Sequence, residues 1–157
     1  MHRLVFGAQE VKFTHLGRLQ VIPPHSFCPV NSQLTVFTEP AFPLLYLPTN
    51  VSFRFTDILR GVVAKRVLDA SGMALAFGDP AGFQVRNPHS YFADFVDEVD
   101  VYLQVRRAWN CLTSLPSGSV SELLRVCYER LCDEGIVPEV EVTLVDEWVS
   151  ALAAIRS

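Results

Sequence analysis

The chain has 157 residues, of which 50% are hydrophobic and 19% charged, with a formal net charge of −4. That length suits a single domain with a real core, and the apolar content excludes an intrinsically disordered chain. The acidic balance excludes a nucleic-acid binder that relies on a general positive field. The longest apolar runs, at 42–47 and 151–155, fall far short of the ~18–20 residues of a membrane helix, so no membrane span is expected. The opening MHRLVFG lacks the long apolar core of a signal peptide.

The chain divides by composition near residue 95. The first part is rich in Pro, Phe and short apolar runs, and the second has helical periodicity. Residues 18–23 (RLQVIP) read as a short strand, 25–32 as a loop with turn formers, and 33–37 as a strand or a helical turn. The apolar run 41–47 ends at Pro48. A helix is predicted over 57–71, with Thr56 as its cap and Asp57 in its positive first turn. Ile58, Leu59, Val62, Val63, Val67 and Leu68 recur there at the helical period, and Gly72 supplies a left-handed stop. Residues 73–77 (MALAF) then read as a buried strand, so a helix feeds a strand as in an α/β layer.

Three more helices are predicted. The first spans 95–112. The second starts at Ser119, where Ser119 and Glu122 form a capping box, and stops before Gly135. The third begins near Pro138. These helices read as an appendix to the α/β part, with no chemistry of their own. Cys28, Cys111, Cys127 and Cys132 form no CxxC pair, so zinc-ligand spacing is absent. They are expected as small buried hydrophobes, pairing only in an oxidising compartment.

The densest polar cluster in an apolar setting is 52–61, SFRFTDILRG. Arg54 and Asp57 bracket the expected helix start, and Arg60 lies one turn inside. Basic side chains at a helix N-terminus make a natural anion site; an ordinary cap with an Arg–Asp pair is the plainer reading of the same residues. His89 sits in a polar loop, where histidines serve as metal ligands or acid–base groups. Asp94, Asp97, Glu98 and Asp100 form an acidic run explained by the macrodipole of the helix they open. Asn50-Val51-Ser52 is an N-glycosylation sequon. No Walker loop, GxGxxG, GxSxG, HExxH or Asp-x-Asp occurs.

The ordered string Pro29-Val30-Asn31-Ser32, Ala41-Phe42, Leu47-Pro48, Arg54 and Asp57-Ile58-Leu59-Arg60-Gly61 resembles the STELLO glycosyltransferase family. The likeness continues through Ala64-Lys65-Arg66, Gln84, Arg86, Asn87, His89 and Asp94-Phe95 to Glu147-Trp148, and covers roughly residues 18–150. The resemblance implies a GT-A-like fold, α/β with a mixed sheet and flanking helices, here as a partial domain over 1–157 with an α/β part (18–95) and a C-terminal helical part (96–157). There is a fainter similarity to plant reversibly glycosylated proteins.

The resemblance further implies handling of a nucleotide-diphospho-sugar donor and a glycan acceptor, in the Golgi. Asp57 would be the catalytic base, with Arg54, Arg60 and Asn31 binding substrate. His89 would help hold a divalent metal, Mn²⁺ or Mg²⁺, and Asn50 would carry a glycan. Residues 1–28 are too short for the donor-binding strands of such a fold, so the chain is expected to be a fragment or a degenerate paralogue. The alternative expectation is a non-catalytic paralogue that binds a partner, whether a second copy or a full-length relative, or regulates a full-length glycosyltransferase. That alternative predicts an exposed apolar face.

Overall fold

The structure, a computed structural model, describes residues 17–31, 33–82 and 90–156. Its centre is one helix, α1 (Phe53–Ala70). Around it lie a 3-10 helix (Glu39–Leu45), α2 (Tyr91–Asp97), α3 (Val99–Cys111), α4 (Val120–Asp133) and α5 (Glu139–Arg156). The 3-10 helix, α3 and α4 pack on α1, and α5 packs on α4 and the 3-10 helix. The only sheet among the described residues pairs β1 (Gln20–Val21) antiparallel to β2 (Ala76–Phe77), with Gln20 opposite Phe77 and Val21 opposite Ala76.

This corrects the expected α/β layering. Helix accounts for 58% of the structure, and the sheet is a two-residue ribbon. The segment 73–77 is not a buried strand, because Phe77 is exposed and no helical layer covers both faces of so small a sheet. Nor are the C-terminal helices an appendix. Trp109 and Ala108 of α3, Leu123, Cys127, Tyr128 and Leu131 of α4 and Val145 of α5 form one core with Leu59, Val62 and Val67 of α1. Each such aliphatic burial contributes about 1.5–3 kcal/mol, so neither half has a core without the other.

The periodicity located α1, but its start moves back by one turn. Ser52 is extended at the N-cap, and Phe55, only 2% exposed, joins the core. Burying that ring draws Phe53–Thr56 into the helix. Thr56 is therefore not the cap; its hydroxyl bonds back to the Ser52 carbonyl. Asp57 lies in the second turn rather than the first. Gly72 ends the helix as expected, with φ +69°, and Met73 N–H returns to the Leu68 carbonyl at 2.9 Å. The single helix expected over 95–112 is two helices broken at Glu98, the first capped by Ser90. The Ser119–Glu122 capping box forms as expected.

Two close approaches fix the chain before α1. At Gly61 a Cβ would lie 2.0 Å from the Val30 carbonyl oxygen and 2.6 Å from its nitrogen. The chain at Val30 thus crosses the helix backbone to backbone, which only glycine at 61 permits. The second approach is at Glu141, in the first turn of α5 and fully buried. Its carboxylate accepts hydrogen bonds from the Tyr46 hydroxyl, from Thr49 N–H (2.9 Å), and from the backbone (3.0 Å) and side chain (2.7 Å) of Asn50. Tyr46 packs edge-on against Tyr128 at 5.2 Å, and Trp148 Nε1 donates to the Pro43 carbonyl at 2.9 Å. The turn that leads into α1 is therefore pinned to α5.

Burial alone would raise the Glu141 pKa, but the four donated hydrogen bonds outweigh it and hold the group below its ordinary value. A depressed native pKa gives stability that is present above the unfolded value, ~4.3, and is lost as pH falls through the native value. Glu141→Gln turns an amide donor toward donors. It should cost about 2–3 kcal/mol at neutral pH and flatten the acid limb of stability, read by urea unfolding from pH 7 down to 3. Gly61→Ala should cost at least ~1–3 kcal/mol through overpacking. Ser119→Ala should cost ~1 kcal/mol through the lost cap. Thermal melts of the two variants should preserve that order.

Candidate functional site

Ten consecutive residues of α1, 59–68, are buried, so the polar side chains within that stretch are cut off from water on every face of the helix. Three of them are cations. Lys65, 0% exposed, donates to both oxygens of Asp69 at 2.5 and 2.6 Å and to the Pro23 carbonyl at 3.2 Å. Asp69 also accepts from His25 N–H at 2.9 Å, which ties the loop after β1 to the helix. Arg66 lies with its guanidinium carbon 3.5 Å from the centre of the Trp109 ring and donates Nη2 to the Trp109 carbonyl at 2.8 Å. Arg66 Nε is also buried without a hydrogen-bond partner among the described residues, but both cations hold a protein partner and serve the fold.

Arg60 differs. It is 6% exposed, yet its Nε and Nη2 have no hydrogen-bond partner among the described residues. Its guanidinium carbon sits 5.2 Å from the centre of the Phe37 ring. Burial lowers its pKa, partly offset by the charge of Asp57 one turn earlier and by Tyr128 beneath it. Asp57 and Arg60 thus face the same part of the molecule. Val30 crosses α1 at the next residue, Gly61. Asn31, the residue after Val30, is exposed and builds a turn there; its Oδ1 accepts from Gln33 N–H at 3.2 Å, and its carbonyl accepts from the Thr35 hydroxyl at 3.0 Å.

Arg54 does not join this group. It pairs with Asp94 of α2 at 2.6 Å and so links two helices. The same pair accounts for one member of the acidic run. Asn50 lies at the pinned turn, its amide nitrogen donating to Glu141 (2.7 Å) and to the Thr49 hydroxyl (3.0 Å). Both amide hydrogens are engaged, so attaching a glycan there would release that turn. His89 lies outside the described residues. Among the described residues no group of three or more His, Cys, Asp or Glu is placed to hold a metal ion.

All four cysteines are free; Cys127 is buried and its thiol is pushed up by burial. No helix among the described residues is long and apolar enough to cross a membrane. Sequence reasoning missed Glu141, Lys65 and Arg66. A carboxylate three residues after Pro138 has the spacing of an N-terminal helical turn, but nothing local reveals that its partners lie about 90 residues earlier.

The pattern of the family described as STELLO glycosyltransferases matches residues 54–155. Among curated proteins, the chain is 27% identical over 150 residues to one from Arabidopsis thaliana named probable glycosyltransferase STELLO1. It is 25% identical over 153 residues to another from the same plant, named probable glycosyltransferase STELLO2. Those alignments cover 94% and 96% of this chain but 19% and 20% of the relatives, so it spans about a fifth of their length. No solved structure matches. The matched span begins at Arg54 and takes in Asp57, Arg60 and Gly61 of α1 and runs on through α2, α3 and α4 into α5, and the chain belongs to the STELLO glycosyltransferase family.

Proposed function

We propose that this chain is the acceptor-side part of a GT-A-like glycosyltransferase that handles a nucleotide-diphospho-sugar donor and a hydroxyl acceptor in the Golgi. The observation that carries this reading is the Asp57–Arg60 turn of α1, in which a carboxylate and a buried cation with two unpartnered donors share one side of a helix. The family match over 54–155 gives that turn its chemical context.

In this reading the Asp57 carboxylate takes the proton of an acceptor hydroxyl as its oxygen bonds to the anomeric carbon. The bond from that carbon to the nucleoside diphosphate breaks, and the diphosphate leaves with the electron pair. Asp57 in the second turn is better suited to this than at the helix start, where the macrodipole would hold the carboxylate ionised more strongly. Arg60 places its positive charge against an oxyanion of the substrate. Asn31 lines the same side. Arg54 acts one step removed, by joining α1 to α2.

The second reading is a non-catalytic module that docks on a longer relative or on itself. It is favoured by α2, which buries none of its residues and leaves Phe92 77% exposed beside Phe95 and Val96.

Thermal melts of the purified chain with UDP-glucose or UDP-galactose and Mn²⁺ separate the two. A ligand held by the folded state adds about 2.7 kcal/mol at a hundredfold excess over its Kd. For a chain of this size that is a rise of several degrees. Asp57→Asn should preserve this shift while lowering transfer to an acceptor by about 10²–10⁴-fold. A cooperative melt that no nucleotide sugar moves would contradict the enzyme reading and leave the docking one.

A further inference from the structure

The Arg60 guanidinium leaves a specific demand unmet. Nε and Nη2 are the two nitrogens of one edge of the fork, the edge that pairs side-on with both oxygens of a carboxylate. Both are buried and without a hydrogen-bond partner among the described residues. A dry donor of this kind costs about 1–3 kcal/mol, and the neighbouring cations of α1 show that the fold can satisfy such groups when they are structural. Lys65 has Asp69 and Arg54 has Asp94, while Arg66 gives Nη2 to the Trp109 carbonyl and leaves the single donor Nε unpartnered among the described residues, where Arg60 leaves a whole edge. Arg60 instead rests against the face of Phe37, on a segment that exposes Leu34 and Val36 and turns through a positive φ at Leu34.

The charges around Arg60 select the ligand. Asp57 faces the guanidinium from its own helix and Tyr128 from α4. Beyond Tyr128 lie Tyr46 and the ionised Glu141. One buried cation thus stands among two carboxylates. Repulsion from those carboxylates grows with every negative charge a ligand adds, so a singly charged carboxylate is opposed less than a dianionic diphosphate.

We propose, building on the glycosyltransferase reading above, that the Nε–Nη2 edge of Arg60 binds the carboxylate of an acidic sugar in the substrate, with Phe37 as the ring that closes over the guanidinium until that carboxylate displaces it. The substrate class is a uronic acid unit. The Phe37 face is a weak stand-in, worth ~0.5–2 kcal/mol as a cation–π contact, and a charge-assisted fork exceeds it. No bond is made or broken in this step.

The test is a titration of the intact chain, without nucleotide sugar, followed by NMR at matched ionic strength. Sodium glucuronate should bind and glucose should not. Arg60→Met should weaken glucuronate binding at least tenfold, since hydrogen bonds to a charged group carry about 1.5–3 kcal/mol. It should not lower the melting temperature, because an apolar chain of similar length replaces an unsatisfied charge. Phe37→Ala keeps Arg60 and should strengthen binding about two- to fivefold by removing the competitor.

Inorganic pyrophosphate binding more tightly than glucuronate through Arg60 would overturn the proposal in favour of a diphosphate. Preference for N-acetylglutamate over glucuronate would overturn the sugar assignment in favour of an acidic peptide. Glucuronate binding that ignores both substitutions, or no binding at all, would overturn the site. Because no donor is present, these results are independent of the nucleotide-sugar melts. Glucuronate binding with inert UDP-sugars would keep the carboxylate site and remove the transferase.

Discussion

A stretch of helix enclosed on every side, as α1 is over 59–68, must satisfy its charges from within the protein. α1 carries Arg60, Lys65 and Arg66 through the middle of the core, and each is at most 7% exposed. Transfer of an unpaired ion to such surroundings is strongly unfavourable. Lys65 meets this with an ion pair one turn along the helix, and Arg66 with a carbonyl and an aromatic face supplied by α3. Among the described residues, Arg60 meets it with the Phe37 face and the nearby charge of Asp57, without a hydrogen bond for Nε or Nη2. The difference among three cations on one helix separates what holds the fold from what is left for a ligand.

The elements that present Arg60 are held from both directions. The chain at Val30 is seated by the backbone approach at Gly61, which sets where Asn31 and the following loop can lie. The 46–50 turn is seated by Glu141, whose charge is stabilised by donated hydrogen bonds and by its place in the first turn of α5. One anchor comes from the N-terminal part and one from the last helix. The site is thus a product of the whole chain, consistent with a family match that runs from α1 through α5.

Local signals in the sequence were read well where the physics is local. The apolar period of 58–68, the left-handed Gly72 and the Ser119–Glu122 box each depend on residues within a few positions of one another. Non-local terms decided the rest. Phe55 pulled the helix start back because of what it packs against, and Glu98 broke one periodic run into two helices. The strand expected over 73–77 shrank because strand length depends on neighbours that a short window does not contain. At the site, the sequence singled out Asp57 and Arg60 within the polar stretch 52–61, and Asn31 through the family resemblance alone. Arg54 was legible as charged but not as the partner of Asp94, 40 residues away.

The central claim is that the Nε–Nη2 edge of the buried Arg60, which has no hydrogen-bond partner among the described residues, is kept for a ligand. The most direct measurement is the ¹⁵Nε–¹Hε resonance of Arg60, assigned by its loss in Arg60→Lys, recorded while glucuronate is added. The account predicts a resolved signal, shielded from solvent exchange, that moves downfield on binding while the Arg66 signal stays fixed. A signal that exchanges like that of a surface arginine, or that glucuronate leaves in place, would contradict it.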